Sequence, residues 1–301
     1  MLRGIIVRMK PKDKQPVPDE DNADKAVVLL IDGNNIAFRA ASILPRSVLE
    51  ANDTRQADSM VARRLRIMNS LYAHVVPVYV FDEPHNDFMP FDAAINRKRE
   101  DTAYKANRRK PANDELARMK AIWIQSWMQR MYSDGNIVLA YPGAEADDLI
   151  AYASKLISTG PARQDGLLTA IWSADKDLLQ CVHDGTGVYQ IRKRGADGEV
   201  KYTESVVMDV KGVPASKIRM QLALQGDSAD GYPGVHGYGA KKGLRLINEC
   251  GSIDELVAAL PEHEDLLREN WRLAGMGEDY LPTEAMNRVR TAVADAIGPE
   301  F

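Results

Sequence analysis

The chain predicts an α/β fold, a parallel central sheet with helices on both faces, followed by a small helical module. Three observations carry that prediction. Four near-continuous apolar runs recur between residues 27 and 175, stretches of helical periodicity separate them, and each run ends on or near an acid. Strands of a parallel sheet covered on both faces read as continuous apolar runs rather than as alternation. Strand–helix alternation of this kind is the pattern of doubly wound sheets.

Taken in order, residues 1–26 are polar, with Pro11, Pro16 and Pro18, and are expected to form a flexible arm. VVLLID (27–32) is the first strand and ends on Asp32; residues 58–73 follow as an amphipathic helix; VVPVYVFD (75–82) is the second strand and ends on Asp82. Asn113 is placed to N-cap a helix with Asp114 and Glu115 in its first turn, and Leu116, Met119, Trp123 and Trp127 recur along it at helical spacing. The tryptophans are read as core rather than as a platform for bases. NIVLAY (136–141) is the third strand, a helix over 145–158 opens after Pro142-Gly143, and LLTAIWSAD (167–175) is the fourth strand. After about residue 210 the strands are expected to stop. KIRMQLAL (217–224), KKGLRLINEC (241–250) and IDELVAAL (253–260) are short helices joined by Gly- and Pro-rich turns. The expected organisation is an arm at 1–26, an α/β domain at 27–210, a helical module at 211–260 and a helical tail at 261–301.

The 301 residues are 45% hydrophobic and 27% charged, enough for one large domain and an appendage. No apolar run approaches the roughly 18 residues that span a bilayer, and the N-terminus, with a short Ile-Val core between charges, lacks a secretory pattern. Cys181 and Cys250 show no metal-type pairing and are expected as buried small hydrophobes in a reducing cytoplasm. The net charge is −4, but it is segregated: basic residues gather at 97–110, 192–201 and 241–245, acids at 145–148 and 175–177. That distribution suits a protein that holds cations at one spot and phosphates around it; oppositely charged solvated faces would give the same count.

In an open parallel sheet, function gathers at the carboxyl ends of the strands. Here those ends carry Asp32, Asp82, then Glu145, Asp147 and Asp148 in PGAEADDLIA, then Asp175 and Asp177 in SADKD; Asp227 and Asp230 follow in QGDSADG. A helix cap explains one such acid. Nine converging carboxylates cannot all stay ionised in one pocket without cations. Oxygen donors, with His74, His85, His183, His236 and His263 scattered, select Mg²⁺ or Mn²⁺ over Zn²⁺. Two such ions about 3.5–4 Å apart are the arrangement that activates water in phosphodiester cleavage. Glu145 and Asp148 fall on nearly one helical face; Asp147 projects roughly a quarter turn or more away, to reach a second ion or act through water.

The Gly-rich stretch PGVHGYGAKKG (233–243) is neither a Walker loop, since no Gly-Lys-Ser/Thr follows, nor a dinucleotide fingerprint. It fits a helix-hairpin-helix. The amides of Gly237, Gly239 and Ala240 at a helix N-terminus would grip a DNA phosphate, and Lys241 and Lys242 would add charge. The segment 97–110 is long and basic, with Tyr104 its one aromatic, placed to stack on a base.

The ordered set IDGNN, VFD, YKANRR, GAEADD, SADKDL, GDSADG and PGVHGYGAKKGLRLI resembles the 5′-nuclease family: bacteriophage 5′-exonucleases, the amino-terminal domain of DNA polymerase I and, more distantly, eukaryotic flap endonucleases. The resemblance runs from about Val27 to Val257. It implies a PIN-like sheet, a basic arch at about 84–112, and a helix-three-turn-helix form of the hairpin with a potassium ion on its loop carbonyls. It implies a tighter metal site, or its outer shell, from Asp32, Asp82, Glu145, Asp147 and Asp148, and a second site from Asp175, Asp177, Asp227 and Asp230. By the same resemblance Arg97 and Lys105 in the arch contact the scissile phosphate, and Arg108 and Arg109 extend that contact. Two positions depart from the family's pattern: Gly231 stands where it has Asn, which puts the rigidity of the hairpin in question, and Gly243 where an alanine is common. No polymerase or proofreading segment is expected, and the short form is most similar to phage-type exonucleases.

The expected activity is therefore metal-dependent, structure-selective 5′-3′ exonuclease or flap-endonuclease hydrolysis near 5′ ends and single/double-strand junctions, giving 5′-phosphate and 3′-hydroxyl. Expected partners are DNA with 5′ ends, flaps or junctions, RNA–DNA hybrid as an alternative, and replication proteins; the chain is expected to be a cytoplasmic monomer of phage or bacterial type. Two rivals stay open: a DNA-structure-binding protein with a vestigial site, which predicts gaps in the carboxylate set, and a PIN-like ribonuclease, which lacks the hairpin module.

Overall fold

The computed structural model describes residues 23–82, 115–163, 165–193 and 198–298. The arch at 84–112, with the helix cap assigned to Asn113, and nearly all of the arm lie outside them. Six strands form the central sheet in the order β3-β2-β1-β4-β5-β6. They are β1 (Ala26–Asp32), β2 (His74–Val80), β3 (Ile137–Leu139), β4 (Leu168–Trp172), β5 (Val188–Lys193) and β6 (Glu199–Tyr202). The first five run parallel and β6 is antiparallel to β5. β1 is buried from Val27 to Asp32, as a central strand covered on both faces must be. Pro77 is tolerated in β2 because β3 pairs only with Val78–Val80, leaving Pro77 on an open edge.

Alternate residues of β1 serve different layers. Val27, Leu29 and Ile31 pack with Ile36, Val61, Trp123 and Trp127 from α1 (Gly33–Ala41), α3 (Arg55–Asn69) and α4 (Glu115–Ser133); the short α2 (Arg46–Glu50) lies between α1 and α3. Both tryptophans are fully buried, and Trp127 meets Tyr79 and Phe81 edge-on, so they are core. Val28 and Leu30 face the opposite layer, with Leu149 and Ile157 of α5 (Ala146–Thr159) and Val289 and Val293 of α11 (Thr283–Ile297). A separate core holds α6 (Glu204–Lys211), α7 (Ile218–Gln225), α8 (Ala240–Glu249), α9 (Ile253–Ala259) and α10 (Glu264–Ala274) together.

The structure corrects the sequence reading in three places. β5 and β6 join the four expected strands; β5, VYQIRK, is half polar, and Gln190 is fully buried because its amide donates to the carbonyls of Ser173 and Asp175. Strands do not stop at 210: β7 (Gly226–Asp227) pairs with β8 (Tyr232–Pro233) inside the module, too short for any periodicity to show. Cys181, expected as a buried small hydrophobe, is only half-buried, while Cys250 is buried.

Candidate metal centre

The chain leaves β1 toward β2 and β3, then returns across the sheet to β4 and moves on to β5. The switch point thus lies between β1 and β4, and ligands of open α/β sheets bind at the carboxyl ends of strands at such a point. Asp32 closes β1 there. It N-caps α1, accepting from the Asn35 amide at 3.0 Å, and takes the Ser173 hydroxyl from beyond β4 at 2.6 Å. Burial, against the opposing hydrogen bonds from Ser173 and Asn35 and with the charges of Asp82 and Asp175, pushes its carboxyl up to about 7.

Asp82 follows β2. The Asn34 side-chain amide donates to Asp82 Oδ2 at 2.7 Å, and Ala146 N donates to Asp82 Oδ1 at 2.9 Å. Asp82 therefore caps α5 from a neighbouring strand and fixes the helix that carries the next acids. Glu145 occupies the N-cap position of α5 and Asp147 its first turn, both half-buried. Asp148 turns inward: it is 2% exposed and accepts the Gly277 amide at 3.0 Å from the segment between α10 and α11.

The second group is tighter. Asp177, Asp227 and Asp230 each present a carboxylate oxygen within 4.8 Å of the others. Asp177 opens a 3-10 turn, Asp177–Cys181, and its amide donates to Asp175 Oδ1 at 2.8 Å, which joins Asp175 to this group. Asp227 is held from both sides, accepting Ala229 N at 2.8 Å and pairing with Lys176 Nζ at 2.7 Å. Burial first, then Asp175, Asp230 and Asp227, raise the Asp177 carboxyl to about 7. Asp177 Oδ1 is buried with no hydrogen-bond partner. A buried carboxylate oxygen without a partner is costly, and an all-carboxylate donor set is the chemistry of a hard divalent ion. The residues present fit such an ion.

The hairpin follows this group along the chain. Gly237, with φ +82°, Gly239 at the N-cap of α8, Ala240, Lys241 and Lys242 are all exposed, and no side chain caps α8. The two departures in this stretch have local causes. Gly231 has φ +85°, in the left-handed region that Gly and Asn share, and its amide closes the turn onto the Asp227 carbonyl at 2.9 Å. At Gly243 a Cβ would lie 2.5 Å from the Tyr238 carbonyl oxygen, so alanine does not fit without a shift.

Of the residues expected from the sequence, Arg97, Tyr104, Lys105, Arg108 and Arg109 fall outside the described residues. Asn34, Asn35, Ser173 and Lys176, which orient the acids, were missed; their signal was present, since each lies within the quoted motifs IDGNN and SADKDL.

Residues 27–212 match the family described as 5′-3′ exonuclease, N-terminal resolvase-like domain. The chain belongs to that family. Among curated members, DNA polymerase I of Mycobacterium tuberculosis is 30% identical over 243 residues, covering 80% of this chain and 25% of the relative. DNA polymerase I of Bacillus subtilis is 29% identical over 243 residues, covering 79% and 25%. The chain spans about a quarter of the length of these relatives. Among solved structures, T5 5′-exonuclease with bound zinc superposes with a TM-score of 0.68 at 18% identity, covering 90% of this chain and 99% of that one. A T5 flap endonuclease complex with DNA and metal ions gives 0.62 at 18% identity, covering 91% and 96%. At that identity the likeness concerns the fold: an α/β sheet, mostly parallel, of the 5′-3′ exonuclease type. No helix among the described residues is long and apolar enough to cross a membrane.

Proposed function

We propose that the chain is a metal-dependent, structure-selective 5′-nuclease that hydrolyses DNA near 5′ ends and single/double-strand junctions, leaving 5′-phosphate and 3′-hydroxyl. The observation that carries this reading is the Asp177–Asp227–Asp230 group with its orphaned buried oxygen, set beside Asp32, Asp82 and Asp175 at the sheet's switch point. Family membership and the DNA and metal ions in the T5 complex support it. Asp32, Asp82, Glu145 and Asp147 would hold one Mg²⁺ or Mn²⁺, and Asp175, Asp177, Asp227 and Asp230 a second. Asp148, buried on the Gly277 amide, would brace the first set. Bound there, divalent ions activate water and neutralise charge developing on the phosphoryl and leaving oxygens.

The chain's own groups do the positioning. Asn34, Asn35 and Ser173 hold the acids in fixed rotamers by direct hydrogen bonds, the preorganisation that electrostatic catalysis needs. Arg97 and Lys105 would meet the scissile phosphate, with Tyr104, Arg108 and Arg109 along the strand. The exposed amides of Gly237, Gly239 and Ala240, with Lys241 and Lys242, would grip the duplex backbone, where a potassium ion on loop carbonyls could assist. Backbone contacts carry no base information, so selection is by structure.

The test is cleavage of a 5′-labelled flap duplex in Mg²⁺ or EDTA, comparing wild type with Asp177→Asn. Metal-dependent cutting near the junction is expected, falling by on the order of a hundredfold or more in the variant. Tight flap binding without cutting in Mg²⁺ or Mn²⁺ would sink the enzyme reading in favour of a structure-binding protein; cutting of RNA alone would move it to the ribonuclease reading.

A further inference from the structure

Tyr232 lies directly opposite Asp227 in the β7–β8 ladder. Cross-strand partners project from the same face with Cβ atoms about 4.5–5.5 Å apart, so the phenol stands over the Asp177–Asp227–Asp230 group. Tyr232 is 5% exposed, its ring packs in the core of the helical module, and its hydroxyl is buried with no hydrogen-bond partner. Two orphaned polar atoms, Tyr232 OH and Asp177 Oδ1, therefore border one carboxylate group. A phenol set among carboxylates ordinarily donates to one of them; here the hydroxyl makes no such bond. Burial, then the charges of Asp177, Asp227, Asp230 and Asp175, hold the phenol well above its ordinary value.

We infer that Tyr232 is a positioning residue of the second metal site, whose hydroxyl donates to a water molecule in the hydration shell of the ion held by Asp177, Asp227 and Asp230. The inference rests on the proposed nuclease reading, and it adds to the carboxylates a group that sets the ion's outer shell. Outer-shell donors orient the ligands they contact, and their loss typically weakens metal binding by about ten- to a hundredfold. The phenyl ring itself is a packing element of the module, so removing the oxygen alone isolates the role.

The experiment is Mn²⁺ titration of wild type and Tyr232→Phe, followed by electron paramagnetic resonance, with thermal melts of both proteins in EDTA and in Mn²⁺. Wild type is expected to bind two ions. In the variant one affinity stays unchanged and the other falls by about tenfold or more. A buried hydroxyl with no partner destabilises the metal-free fold, so the variant in EDTA is expected to melt at the same temperature or higher, while its gain on adding Mn²⁺ shrinks. A purely structural tyrosine would give the reverse: a lower melting temperature in EDTA and an unchanged gain. That result, or two unchanged affinities, overturns the role of Tyr232 and leaves the nuclease reading standing. Absence of Mn²⁺ binding by wild type overturns both.

Discussion

At Asp177, burial and three neighbouring carboxylates act in one direction, and the consequence is a pH dependence with a definite sign. The folded chain holds the carboxyl at about 7 against an ordinary value of 3.8, and Asp32 is raised to about 7 as well. Between those values the folded form binds protons that the unfolded chain releases, so stability falls as pH rises through the window. In EDTA, melting temperature is expected to drop from about pH 4 to about pH 7, less steeply in Asp177→Asn, and Mg²⁺ is expected to restore it above pH 7; melts across a pH series check all three. Asp148 behaves differently. Asp148→Ala strands the Gly277 amide in the interior, which costs about 1–3 kcal/mol with or without metal. Denaturant titrations should show this loss in EDTA and a larger one in Mg²⁺, where the brace of the first set is lost as well. The nine acids stand out as candidates because strand ends and motif spacing are written in the chain; of these, Asp177, Asp227 and Asp230 come together as one cluster among the described residues. Which of the nine turns inward was not legible, because that depends on Gly277, more than a hundred residues away.

Elements set how the site meets its substrate. The N-terminus of α8 presents amides without a side-chain cap, and Lys242 reaches over the Tyr238 ring at 3.8 Å. If these groups hold phosphates, Lys241→Ala and Lys242→Ala each lower duplex affinity evenly across sequences. Each also reduces the slope of log affinity against log salt by about 1. Fluorescence anisotropy over a salt series with two unrelated duplexes measures this; a change confined to one sequence would argue against a backbone grip. The hairpin was legible from its glycines and lysines, and the apolar strands from their runs. β5 was not, because a buried Gln190 whose amide nitrogen donates to two carbonyls looks like a surface residue in sequence. The pairing of β7 with β8, which places Tyr232 opposite Asp227, lies below the length at which alternation shows.

At the scale of the molecule, the sheet's two faces are closed by segments of very different sequence distance. α1, α3 and α4 cover one face; α5 shares the other with α11, whose Ala285, Val289 and Val293 join Val28 and Leu30 in one apolar layer. Leu281, 3% exposed at the approach to α11, belongs to the same layer. Leu281→Ala is expected to cost about 2–5 kcal/mol, read as a lower urea midpoint with an unchanged slope. Metal affinity should be unaffected wherever the protein remains folded. The residues beyond 261 were legible only as helical, since an amphipathic stripe does not say which surface it covers.

Polypeptides emerge from the ribosome from the N-terminus onward, at about 5–20 residues per second. β1 is among the earliest segments of this fold to appear, yet the layer over Val28 and Leu30 stays incomplete until α11 has cleared the exit tunnel. A nascent chain would therefore carry Asp148 before the Gly277 amide that fixes it has been made. If the chain is the nuclease proposed above, its first set of acids would be braced only after Gly277 has emerged.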